Sequence, residues 1–142
     1  MAGFQFVGNS GAEYGQKTTE KLAIKNGVTV TDGAALRMED GRWDLAGTGE
    51  TVAAVAELPM GTTSLVGTAG SVYCRARRVR SGDIWRVAQG ALADADAQKG
   101  DRCDIGTASA AVAADSNHDF LIVDGNTTED TIDVQFQFLQ HK

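Results

Sequence analysis

Residues 131–139 read Thr-Ile-Asp-Val-Gln-Phe-Gln-Phe-Leu, and no other stretch restricts the possible folds as tightly. Ile132, Val134, Phe136 and Phe138 alternate with Asp133, Gln135 and Gln137. A period of two places one set on each face of an extended chain, whereas a helix would scatter both sets around its circumference. The segment is therefore a half-buried β-strand. The same short-strand pattern recurs upstream, which predicts an all-β fold, a small antiparallel β-barrel or β-sandwich.

Turn residues mark out the remaining strands. Asn26-Gly27 lies between Leu22-Ala23-Ile24-Lys25 and Val28-Thr29-Val30-Thr31, which predicts a tight type I′ hairpin. Asp32-Gly33 precedes Ala35-Leu36-Arg37-Met38, and Asp40-Gly41 leads into Arg42-Trp43-Asp44-Leu45. A strand over 51–56 ends at Pro59, the only proline. Residues 61–70 read as a small-residue loop, 71–79 as a strand, and Ser81-Gly82-Asp83 as a turn into 84–88. The alanine-rich segments 91–98 and 108–114 are ambiguous between helical turn and loop. Strands at 101–105, 119–123 and 131–139 close the chain, the last two as a hairpin. Punctuation at this spacing is that of a sandwich or barrel.

The first 20 residues differ. They hold four glycines and a few isolated anchors, Phe4, Phe6, Val7 and Tyr14, with no core of their own. They read as an extended arm ordered against a neighbour, or else as a frayed terminus, ahead of a single all-β domain over 21–142. With 142 residues the chain has room for one core, but its apolar residues are largely Ala and Val, so that core is thin and assembly with a partner is expected.

Nineteen acids against thirteen bases give a net charge of −6, which opposes general binding to nucleic acid. The charge is also polarised. Arg75, Arg77, Arg78, Arg80 and Arg86 face one acid, Asp83, within 75–86, while 87–142 holds ten acids and three bases. On a strand, Tyr73, Arg75 and Arg77 share one face and Val72, Cys74 and Ala76 the other. Arginine forks bind carboxylates in pairs of hydrogen bonds, so Arg75, Arg77, Arg78 and Arg80 form either a docking face for an acidic protein surface or a solvated face paired with the chain's own acids. Trp43 and Trp85 are core residues by default and interface anchors otherwise. Two cysteines, Cys74 and Cys103, make no disulfide framework, and residues 1–10 lack the basic start and apolar run of a secretory signal. Synthesis in a reducing cytoplasm with free thiols is expected, a Cys74–Cys103 bridge being the alternative. No stretch reaches the roughly 20 apolar residues of a membrane helix.

Motifs for chemistry are weak. Asp115-Ser116-Asn117-His118-Asp119 resembles the first half of a calcium loop but has Phe120 where glycine belongs and Asn126 where the glutamate belongs. Gly15-Gln16-Lys17-Thr18 breaks the Gly-Lys adjacency of a phosphate loop. The two histidines, His118 and His141, lie in an Asx-rich turn and at the C-terminus, and no serine sits in a nucleophile elbow. Asp94 and Asp96 fall in a polar, exposed segment unsuited to raised acidity. No enzyme, metal or cofactor is expected.

Three phrases taken in order with the last strand carry a resemblance. Ser81-Gly82-Asp83-Ile84-Trp85-Arg86-Val87, Lys99-Gly100-Asp101-Arg102-Cys103-Asp104-Ile105 and the run from Ala114 to Val123 together resemble the capsid decoration, or cement, proteins of tailed bacteriophages, over residues 61–139. The resemblance implies a β-module on the outer surface of the virion head, made in the host cytoplasm. It also implies a major capsid protein as partner, a homotrimer as the favoured oligomer, and no direct contact with nucleic acid or membrane. The alternative is a tail- or fibre-associated β-module that binds carbohydrate or another virion protein.

Overall fold

The structure is a computed structural model that describes residues 3–9, 18–47, 49–80, 82–90, 92–106, 112–113, 119–126 and 128–136. Within these residues the chain is all-β, as expected. One sheet has six strands in the order β1 (Gln5–Asn9), β9 (Asp83–Ala88), β13 (Thr131–Phe136), β12 (Phe120–Asn126), β10 (Arg102–Ile105) and β11 (Val112–Ala113). A second has five, in the order β2 (Thr19–Ala23), β8 (Tyr73–Arg78), β6 (Ala54–Ala56), β4 (Ala35–Glu39) and β5 (Arg42–Leu45). β3 (Thr29–Thr31) and β7 (Ser64–Val66) form a two-stranded ribbon. Every strand pair is antiparallel. Residues 94–96 of the ambiguous 91–98 segment make one 3-10 turn.

Alternation explains β13. Ile132, Val134 and Phe136 are buried while Thr131, Asp133 and Gln135 are half-buried on the outer face. Phe138 lies outside the described residues. The inner face joins Trp85, Val87, Phe120 and Ile122 in a core shared with Ala35 and Val55 of the five-stranded sheet. The neighbours in sequence of those two residues, Leu36, Ala54 and Ala56, belong to a second core with Ile24, Val30, Trp43, Cys74 and Ala76. Consecutive strand residues point to opposite faces. The five-stranded sheet is thus a middle layer covered on both sides, which is why β6 is buried at all three positions. Its alanines fill both clusters, Ala35 in the first and Ala54, Ala56 and Ala76 in the second.

Turn chemistry succeeds at one site and is overruled at another. At Asp40 (φ 52°) and Gly41 (φ 75°) both central residues are left-handed, and Glu39 pairs with Arg42, so β4 and β5 close through a two-residue turn. Asn26-Gly27 also turns, with Val28 N–H donating to the Lys25 carbonyl at 3.1 Å. Yet the strands it joins do not pair with each other: β2 pairs with β8 and β3 with β7. The turn is held from outside instead. Ala69 N–H donates to Asn26 Oδ1 at 3.1 Å and Gly27 N–H to the Gly67 carbonyl at 3.0 Å. Tertiary bonding here outweighs the local hairpin. The predicted loop over 61–70 likewise contains β7.

Of the expected arm over 1–20, residues 3–9 and 18–20 are described, and they belong to the two sheets; residues 10–17 lie outside the described residues. Residues 5–9 are β1, an edge strand hydrogen-bonded to β9, and residues 19–20 already belong to β2. Phe4 is 3% exposed, its ring 5.3 Å from both Phe120 and Phe136. An isolated aromatic in a polar segment found its apolar surroundings inside its own domain, against Phe120 and Phe136 of the first core.

Candidate interaction surface

The eight residues expected to touch a partner separate once the strands are placed. Phe4 is core and leaves the surface. Phe6 lies between Trp85, edge-on at 5.4 Å, and the Arg77 guanidinium, 3.5 Å above its ring centre. Val7 stands 47% exposed where β1 bulges against β9. Tyr14 lies outside the described residues, as do Asp115 to His118, Gly15 to Lys17 and His141.

The arginines divide in the same way. The facial pattern of β8 holds: Cys74 and Ala76 are buried, Tyr73 and Arg75 exposed. Arg78 reaches Glu20 at 2.7 Å and donates through Nε to the Ala53 carbonyl at 3.2 Å. Arg80 holds the buried Asp83, its main-chain N–H 2.9 Å from Oδ2 and its guanidinium 3.3 Å from Oδ1. Arg86 forks onto Asp133, directly opposite on β13, at 2.8 and 3.1 Å. Arg37, further off on β4, takes Asp44 at 2.7 Å. The paired-face alternative therefore describes Arg78 and Arg80, and an aromatic stack accounts for Arg77.

Arg75 is different. It is exposed and lies directly opposite Lys21 on β2, a cross-strand pair of like charge, and neither cation forms an ion pair among the described residues, although Glu57 stands across from Arg75 on the β6 side. Beside them Tyr73 is 54% exposed, and a groove runs from this trio to Leu58, Pro59 and Leu65. Met60 at the adjoining corner is fully exposed. Lys21, Leu58, Pro59 and Leu65 were not foreseen as site residues. Only the register that sets β2 and the β6–β7 corner against β8 brings them to Arg75, and local sequence carries no signal of that register.

The remaining polar groups serve structure. Asp119, 5% exposed, accepts from Gly49 N–H (3.0 and 3.2 Å) and Ile105 N–H (3.0 Å), tying the β5–β6 loop to β10. Asp94 accepts from Gln89 Nε2 at 2.8 Å. Trp43 and Trp85 are both buried, and Trp43 Nε1 donates to the Cys74 carbonyl at 2.9 Å. Cys74 and Cys103 are both buried, one in each core, and form no disulfide with each other, since the middle sheet separates them. Burial, helped by the negative charge of Asp32, pushes the Cys74 thiol up to about 11. Among the described residues no group of three His, Cys, Asp or Glu side chains could hold a metal, and no helix is long and apolar enough to cross a membrane.

What fold and surface define is an antiparallel three-layer β-module with a cationic, aromatic-edged groove. Comparison with protein-family models, curated proteins and solved structures finds no match for the chain.

Proposed function

We propose that this chain is a structural virion protein that binds the outer surface of a phage head and stabilises the lattice of its major capsid protein, acting as a homotrimer and without catalysis. The observation that carries the reading is the Lys21–Arg75 pair beside Tyr73. The other arginines of β8 and its flank are occupied within the domain, while this pair and an exposed aromatic are left for a partner. Aromatic and arginine side chains of this kind anchor protein interfaces. The sequence phrases at 81–87, 99–105 and 114–123, which with the last strand resemble decoration proteins, suggest the partner. The test is co-sedimentation of the purified protein with expanded heads of the same phage that lack it. Saturable binding in a fixed ratio to the major capsid protein is expected, and its absence removes the reading.

One feature favours a second reading, a tail- or fibre-associated module that binds carbohydrate. Tyr73 presents an exposed ring at the lip of a groove, the geometry on which sugar rings stack. A glycan array separates the two, since a head-binding protein gives no glycan signal.

A further inference from the structure

The groove beside Tyr73 exists because one strand leaves another. Along β8 the even positions bond toward β2: Ile24 N–H donates to the Val72 carbonyl and Arg78 N–H to the Thr18 carbonyl, both at 2.8 Å. The odd positions, Tyr73, Arg75 and Arg77, therefore turn their main chain toward β6. Ala56 pairs with Ala76 and Glu57 N–H still reaches the Arg75 carbonyl at 2.9 Å. Continued by two residues, that register sets Pro59 opposite Tyr73. Proline has no N–H to give, and the pairing stops. Leu58 N–H turns away to Asp32 Oδ1 at 2.9 Å. The main-chain N–H and C=O of Tyr73 are left without a hydrogen bond among the described residues.

The vacated place has a definite chemistry. Leu58, Pro59 and Leu65 give it an apolar side, the Tyr73 ring an aromatic edge, and Lys21 and Arg75 two cations against the single carboxylate of Glu57. Like charges set directly opposite one another repel, and a carboxylate between them reverses the sign of that term. Glu57 stands opposite Arg75 on the β6 side, yet among the described residues neither Lys21 nor Arg75 forms an ion pair.

We propose that this cleft seats an extended acidic segment of a partner protein, laid antiparallel to β8 in the position β6 gives up. Its main chain bonds Tyr73, an acidic side chain opposite Tyr73 reaches toward Arg75 and Lys21 on the outer face, and the adjacent apolar side chain, on the other strand face, rests against Leu58 and Leu65. Addition of a strand at an open edge gives affinity through the main chain and selectivity through such alternating pockets. The proposal deepens the head-binding reading and rests on it for the identity of the partner, but the cleft chemistry can be tested separately.

The experiment has two arms. In the first, the ¹⁵N-labelled protein is titrated with an acetylated, amidated heptapeptide alternating glutamate and leucine, and with its lysine–leucine counterpart. Saturable shifts at Lys21, Leu65, Tyr73 and Arg75 are expected for the acidic peptide alone. Lys21→Glu with Arg75→Glu should weaken binding about tenfold or more. Both side chains are exposed, so the variant's own spectrum verifies its fold. No saturable shift at millimolar peptide, equal response to both peptides, or an unaffected double variant each overturns the cleft. In the second arm wild type and double variant are sedimented with heads. If both bind alike, the cleft is wrong and head binding stands. If neither binds while the peptide titrates, head binding is wrong and the cleft stands.

Discussion

Single side chains in this fold do two kinds of work, and Cys74 and Asp119 represent them. The Cys74 thiol is raised from 9.0 to about 11 by burial, so the unfolded chain gives up its proton first as pH climbs. Its contribution to stability is fully present below pH 9 and is lost between pH 9 and about 11. Linkage over that interval gives on the order of 1 kcal/mol at pH 10. The difference in unfolding free energy between wild type and Cys74→Ala should therefore shift by that amount between pH 8 and pH 10, read from urea titrations. Native protein should also resist thiol reagents at pH 8, since the thiolate is the reactive form. Asp119 instead satisfies two main-chain donors on separate elements. Asp119→Ala strands both, and we expect a loss of about 2–4 kcal/mol in the same titration.

At the scale of elements, what could be read in advance depended on how local the cause was. β13 was legible because its period of two is written in consecutive residues, and β4–β5 because a two-residue turn needs only Asp40-Gly41. The face of β8 was legible too, with Cys74 and Ala76 inward. The alternation of Phe4 and Phe6 allowed a short strand, but its docking was not legible, because Phe4 owes its burial to Phe120 and Phe136, more than a hundred residues away in the chain. Nor was the separation of β2 from β3, which depends on bonds from Asn26-Gly27 to 67–69. The candidate site divides along the same line: Arg75 and Tyr73 follow from strand parity, Lys21 and Leu65 only from pairing. The pairing of β1 with β9 fixes what truncation should do. Removing residues 1–9 uncovers the β9 edge and an aromatic core, so it should lower the thermal midpoint rather than merely abolish binding. Phe4→Ala alone should cost about 3–5 kcal/mol. A truncated protein with the wild-type melting curve would contradict the placement of β1.

For the whole molecule the question is how a pair of exposed cations can matter on a chain of net charge −6. A single such contact in water is weak and is screened within about 10 Å at 0.1 M salt and about 3 Å at 1 M. Its strength must come from neighbours: the apolar side of the cleft, and the repetition of the contact over a lattice or a trimer, which multiplies affinity by about 10²–10⁴ without new chemistry. Charge and repetition leave different signatures. Affinity for heads should fall as sodium chloride rises from about 0.05 to 0.5 M, because the Lys21–Arg75 contact is screened. It should fall little for Lys21→Glu with Arg75→Glu, which has lost that contact already. Light scattering on the free protein, run at the same salts, then assigns the repetition. A mass of three chains that survives 0.5 M salt places the multiplication in the trimer, whereas a single-chain mass places it in the lattice. A wild type and a double variant with the same salt dependence would mean that binding runs through another face of the module.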